Sequence, residues 1–583
     1  MLTSTLLRIG ILYTTEIRNR RIGGQPKPLT VLKSTSTPKH NIGSIGIMLA
    51  SAALTWVAFL AAMIGTLDAA VLPPSNNLQR GNSLTDARPV KVHVTLKRHS
   101  MTLHGHSEFD IFANPIVHAM DSRVRYDGHT TFQGNGGTQL TYALVNGTGY
   151  MITKDEVGTS QTVECLRPGA LSFNDILPAL NDAVPIPSAS IGDETIECTS
   201  GNIFKTTFAG AHFAICLSDK SGFKAYSSDI DIEVEYLENS VEIQVPPLSS
   251  GLSCEVAAKP SSVVPTTLAL LTGSAVPTST SRTLKAAEHM AMEASTCECK
   301  SKPRPCVFFH GIGNRHEMEE LQDTPKKASG RMGNMNKHAP CCTEVKYAIL
   351  NTMDYSWTND SLQQKFCDRA LRLSSTSDVD LGVIKDTVVV THSMGGLVMS
   401  MALATGKCRF GDGATWVALS SPMLGSMATD YFQDFCNDEI SVFVTDLLEF
   451  FGQCPMPVAR QSLMYYKDKY ASKELNEAYK LAQAAYRGNV SAAMCSDNPN
   501  GIFSVYEAIM LLAAKVVPHK SPENDALVEF QSCAKGLDKS KFGKSYKDKF
   551  YRPELNHADT VFLTGDGYFK NSQKPVKWFE CLL

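Results

Sequence analysis

Residues 384–406 read IKDTVVVTHSMGGLVMSMALATG, and their pattern decides how the C-terminal half of the chain is organised. Thr387 to Val390 form a short apolar run rich in β-branched residues, the signature of a strand buried on both faces in a parallel sheet. After Ser393, the apolar residues Leu397, Val398, Met401 and Ala402 recur at helical spacing. Ser393 therefore sits at a strand-to-helix turn. Small residues, Gly395 and Gly396, follow it and allow the backbone to fold tightly there. The turn also aims the positive end of a helix at the serine, where a developing oxyanion gains from free N–H groups and the dipole.

Working outward, Cys306 to Phe309 form a second short apolar strand, followed by His310-Gly311-Ile312-Gly313-Asn314. Downstream, Thr415 to Leu419 form a third, ending in Ser420-Ser421-Pro422-Met423-Leu424-Gly425. Asn524-Asp525-Ala526-Leu527-Val528 and Leu555-Asn556-His557-Ala558-Asp559 lie near the C-terminus.

This arrangement resembles the α/β-hydrolase superfamily of serine hydrolases, over roughly residues 300–583. THSMGG is similar to the GHSMGG nucleophile elbow of many lipases, with Thr391 in place of the first glycine. The resemblance implies a catalytic triad of Ser393, Asp525 and His557, since the acid and then the histidine follow the serine in chain order. It implies an oxyanion hole from the backbone N–H groups of Ile312 and Met394, and a substrate pocket lined by His310, Gly311, His392 and Met423. His392 adjoins the serine and points elsewhere than a base must. His519 precedes Asp525, which is the wrong order, and His316 lies in a polar loop. Glu529 and Asp559 are the competing acids; Asp559 stands only two residues from the histidine whose ring it would have to reach.

The implied fold class is α/β, a doubly wound, mostly parallel sheet, preceded by an antiparallel all-β domain and an N-terminal transmembrane or signal helix. Ile45 to Leu67 is an uncharged apolar run long enough to span a bilayer. Residues 1–44 before it hold seven Lys or Arg and one acid, which orients them to the cytosol. A single-pass anchor, a cleaved signal peptide, or a true start at Met48 (leaving 1–47 a false extension) all fit, and each sends the rest of the chain into the secretory lumen or outside the cell. Residues 88–250 carry period-two alternation: Val90, Val92, Val94 and Leu96, then Ile230 to Tyr236, with a hairpin expected back through Val241 to Val245. The histidines His99, His104, His106, His118 and His129 there show no ligand spacing. Such a sheet suits a lipid, a glycan or a partner protein. Residues 255–290 are rich in Pro, Ser and Thr and read as a linker to a second domain at 297–583. An insertion over about 430–519 reads as helical, either a lid or extra core helices.

The 583-residue chain carries a net charge of −3, which gives no footing to a nucleic-acid partner. Of its 16 cysteines, four fall between 165 and 254 and twelve between 297 and 581. Two even counts suit two separately disulfide-bonded regions in an oxidising compartment, with the pairing open. Asn146, Asn359 and Asn489 head glycosylation sequons. The expected activity is a secreted or membrane-tethered serine hydrolase cleaving carboxylic esters, lipid-like ones foremost, with no metal or organic cofactor. A serine peptidase, thioesterase or acyltransferase on the same triad, or an inactive hydrolase scaffold beside a ligand-binding β domain, are the alternatives. No oligomer signature is visible.

Overall fold

The computed structural model describes residues 83–583 apart from 119–121, 135–136, 157–159, 168–172, 219–220, 249–252, 277–287, 329, 438, 440–453 and 505. The basic segment 1–44, the apolar run 45–67 and the apolar stretch 440–451 of the expected insertion lie outside these residues.

The period-two region folds as its alternation predicts, into strands β1 (Val90–Leu96), β2 (Glu108–His118), β3 (Arg123–Gln133), β4 (Gln139–Val145), β5 (Thr148–Lys154), β6 (Gln161–Cys165) and β7 (Val184–Ile186). After a small β8 (Ala189–Ile191) and β9 (Glu194–Thr195) come β10 (Ile203–Phe208), β11 (Ala211–Ser218), β12 (Gly222–Tyr226), β13 (Ile230–Tyr236) and β14 (Ser261–Ser262). All but β8 and β9 join one 12-stranded antiparallel sheet, ordered β6-β5-β4-β3-β2-β1-β13-β12-β11-β10-β7, with β14 on β3. Helices α1 (Ile176–Asn181) and α2 (Pro265–Thr272) cover part of one face. Leu270 of α2 joins a core with Val90, Phe213, Ile215 and Val234.

The expected hairpin after β13 does not form. Both edges of β13 are already taken, by β1 and by β12. Residues 241–245 run as an irregular segment, pinned where the Asn114 amide donates to Val241 O at 2.7 Å and accepts from Val241 N at 2.9 Å. The described start of the expected linker is also packed: Ala257, Ala258, Ala269, Leu270 and Leu271 are buried.

β15 (Met290–Met292) pairs with β8. A second sheet comes after it, from β16 (Arg304–Phe309), β17 (Cys342–Ala348), β19 (Val388–His392), β21 (Thr415–Leu419), β22 (Ala492–Met494), β23 (Phe542–Gly543) and β24 (Phe550–Tyr551), with β18 (Val383–Ile384) and β20 (Arg409–Phe410) pairing apart. Its order is β17-β16-β19-β21-β22-β24-β23, every pair parallel. Both faces are covered, so its strands read as unbroken apolar runs. On one face Phe309, Val389 and Trp416 meet α3 (Asp360–Leu371), α4 (Met394–Ala404) and α6 (Lys473–Asn489) through Phe366, Leu397 and Tyr486. On the other, Phe308, Val390 and Leu419 meet Trp578 and Phe579 of α8 (Pro575–Cys581). Two further helices are α5 (Met427–Cys436) and α7 (Glu507–Val516). Of the two readings of the insertion, lid or extra core helices, the stretch 473–494 matches the second: Tyr479, Ala482 and Tyr486 of α6 are fully buried, and β22 is an interior strand of the sheet.

The expected fold class is corrected by this arrangement. Among the described residues the dominant feature is the 12-stranded antiparallel sheet, and the seven-stranded parallel sheet stands apart from it. Among the described residues no helix is long and apolar enough to cross a membrane. The physical reason is one of extent: the strands around Ser393 are short, and the longer alternating region supplies most of the hydrogen-bonded β structure.

Asn82–Leu583 forms one compact unit. A buried charge network holds the antiparallel sheet to the C-terminal segment. Arg98 donates to Asp566 at 3.1 Å and to Glu580 at 2.7 Å. Lys574 and Lys577 reach Asp229 at 3.1 and 2.7 Å. Eight disulfides pair all sixteen cysteines within the two groups set apart by count: Cys165–Cys254 and Cys198–Cys216, then six more from Cys297–Cys581 to Cys495–Cys533. So many disulfides belong to an oxidising, secretory or extracellular environment.

Candidate functional site

The parallel strands all point their C-terminal ends to one edge, and the loops that leave them there converge, as in open parallel sheets generally. β19 delivers Ser393, β16 delivers Gly311 and Ile312, and the chain beyond β24 delivers His557.

Ser393 adopts φ 52 and ψ −128, a strained backbone for a residue with a Cβ. Its N–H continues the sheet by donating to Leu419 O at 2.8 Å, and its C=O accepts from Gly396 N at 2.9 Å. The turn closes only because its neighbours are small. A Cβ on Gly396 would stand 1.9 Å from Ser421 Oγ, and one on Gly311 would stand 2.7 Å from the Ser393 Cβ. Thr391, the departure from the lipase pattern, lies within extended β19, so no glycine is required there. Its hydroxyl accepts from the buried Trp416 indole at 2.9 Å.

Asp525 and His557 meet. His557 Nδ1–H donates to Asp525 Oδ2 at 2.8 Å, and both side chains are buried. Asp525 Oδ1 accepts from Leu527 N and Val528 N at 3.0 and 2.7 Å, and the His557 N–H donates to Asp525 O at 2.8 Å. The carboxylate is thus fixed before it orients the imidazole. Ser393 and His557 line a common cavity of ≈ 100 Å³ with Gly311, Ile312 and His392.

The competing groups are occupied elsewhere. Asp559 accepts from Ile502 N at 2.8 Å, Asn556 N at 3.2 Å and Thr564 Oγ1 at 2.5 Å, and burial pushes its carboxyl up to about 7. Glu529 accepts from Tyr465 Oη at 2.8 Å. His519 Nε2 bonds Ala526 O at 3.2 Å, and His316 is exposed.

Of the four residues expected to line a substrate pocket, Gly311 and His392 border this cavity. The His392 ring lies tilted by 46° against that of His557 with centroids 4.6 Å apart, and burial, then the neighbouring His557, hold its imidazole well below the usual range. It is neutral. His310 and Met423 are not among the residues that border the cavity. His310 Nδ1–H donates to Gly311 O at 2.8 Å while Nε2 accepts from Leu350 N at 3.2 Å, so one ring nitrogen holds its own loop and the other ties it to the segment after β17. Burial lowers it to about 4, which keeps that acceptor free of a proton. Met423 is fully buried against Ser400, its sulfur accepting from the hydroxyl at 3.9 Å.

Sequence reasoning missed the rest of the wall. Phe432 of α5, Met456, Leu463, Met510 of α7 and Leu563 make it largely apolar, and Arg331, Arg460 and Tyr506 add polar groups. None of the described residues lining it is acidic. Burial lowers the Arg331 guanidinium, and that of Arg460 to about 10. Neither arginine stands in a periodic pattern, so nothing in the sequence marks it for burial. Set against known proteins, the chain matches no family model and no curated protein.

Proposed function

We propose that this protein is a serine hydrolase cleaving carboxylic esters, lipid-like ones foremost, through an acyl-enzyme on Ser393. The observation that carries the reading is that His557, paired with Asp525, shares one cavity with a serine held in a strained turn at a helix N-terminus.

The roles derive from the bonds. With His557 Nδ1 committed to Asp525, Nε2 is the nitrogen left to take the Ser393 proton as Oγ attacks the acyl carbon. The carbonyl oxygen becomes an oxyanion, and the N–H groups of Ile312 and Met394 are the donors assigned to it. The imidazolium then protonates the leaving alkoxide, and water reverses the sequence to release the acid. The apolar wall from Phe432 to Leu563 suits an acyl chain.

Steady-state hydrolysis of p-nitrophenyl esters of graded chain length, with parallel peptide and thioester substrates, tests the reading. Long-chain esters are expected to be preferred. Ser393→Ala is expected to abolish turnover, and Asp525→Asn to cut kcat by about 10³–10⁴ through loss of the oriented imidazole. Turnover unchanged in Ser393→Ala sinks the mechanism, and a preference for peptides or thioesters sinks the substrate class.

A further inference from the structure

A second cavity, of ≈ 390 Å³, lies against one face of the 12-stranded sheet. Residues of nine strands of that sheet line it, among them Val92, Val94, Ile215, Phe223, Ile232 and Val234. Leu177 of α1 and Leu270 of α2 close it on one side, and Phe503, Tyr568 and Phe569 reach in from the C-terminal half. Phe503 meets Tyr142 edge-on at 5.8 Å, and Phe569 meets Phe208 at 4.7 Å.

Such a space is poorly suited to water, which needs two to four polar partners. Left empty it forfeits dispersion contacts in proportion to its volume. It is well above the roughly 150 Å³ of an engineered apolar cavity that takes up benzene, and within the usual range of ligand pockets. Its charge is one-sided as well. None of the described lining residues is acidic, while Arg125 and Lys259 are cationic. Arg125 is paired with Asp127 at 3.0 Å. Lys259 is exposed and forms no ion pair among the described residues.

We propose that this cavity binds one long acyl chain with an anionic headgroup, the chain lying along the sheet and the headgroup at Lys259. The wall supplies the apolar contact and the ammonium supplies the complementary charge. The site is separate from the Ser393 cavity and stands whether or not Ser393 is a nucleophile. Its floor nonetheless touches the triad's support: Phe503 is next in the chain to Ile502, whose N–H donates to Asp559 in the loop that carries His557.

The test is equilibrium binding of a fluorescent oleate analogue to the delipidated, secreted full chain. One equivalent is expected to bind the parent and Ser393→Ala alike. Ala225→Phe, which fills the cavity, is expected to weaken binding by about tenfold or more. Lys259→Glu, a surface change that leaves the core intact, is expected to weaken the carboxylate ligand while sparing its methyl ester. Absence of binding to folded parent protein overturns the proposal. So does binding that Lys259→Glu leaves unchanged, or that a phosphonate on Ser393 blocks, since that ligand then occupies the other cavity.

Discussion

Thr391 shows how a single departure from a pattern is absorbed. The sequence presents it as a bulky intruder in a tight turn, but its backbone is still strand, and the strain falls on Ser393. Its hydroxyl instead gives the buried Trp416 indole an acceptor. Thr391→Val keeps the shape and removes that acceptor, so it is expected to destabilise the fold by about 1–3 kcal/mol, the cost of an unsatisfied buried donor. Denaturant unfolding checks this; an unchanged midpoint means the indole is satisfied without the threonine. At this scale the resemblance's chain order, an acid and then a histidine, singled out Asp525 and His557, and those two side chains do meet. Arg331, and the structural role of His310, could not be singled out, because each depends on contacts between loops far apart in the chain.

At the scale of elements, the close approach of α4 to the loop after β21 is set by Gly396. A methyl group there meets not only Ser421 Oγ but its Cβ at 2.6 Å, so rotating the hydroxyl away gives no relief. Gly396→Ala is expected to cost about 1–3 kcal/mol as overpacking. Combining it with Ser421→Gly is expected to recover part of that loss, as a double-mutant cycle by thermal unfolding would register. Additive effects would mean that the two positions do not compete for the same space. Elements of strong period were legible: the alternation in β1 and β13, and the apolar runs of β16, β19 and β21. Those that depend on who else claims an edge or a face were not. Val241 to Val245 alternate like a strand, yet β13 has no edge to offer. The amphipathic pattern of α6 suited a lid or a core helix alike, and it packs on α4 in the core.

For the whole molecule, Asp229 joins the antiparallel sheet to the C-terminal segment. Burial alone raises its carboxyl, but Lys574 and Lys577 beside it, with Arg98 further off, hold it below the usual range. A depressed carboxylate contributes stability that is full above the unfolded value near pH 4 and is lost as pH falls through the folded one. Asp229→Asn leaves two buried ammonium groups short of a partner and is expected to cost about 3–5 kcal/mol near neutrality. The gap between parent and variant should narrow as pH drops from about 5 toward 3. A gap that stays constant assigns the loss to packing rather than charge. This joint was invisible in the sequence, where a Pro/Ser/Thr-rich stretch suggested two loosely tethered domains.

The proposed chemistry rests on an activated Ser393, and a covalent adduct reports it most directly. The secreted full chain is treated with a fluorophosphonate and its tryptic peptides are weighed, beside Ser393→Ala. The prediction is a single adduct on the peptide carrying THSMGG, absent from the variant and sharply reduced in His557→Ala. A folded parent that takes up no phosphonate, or takes it up equally in Ser393→Ala, contradicts the assignment of a catalytic serine.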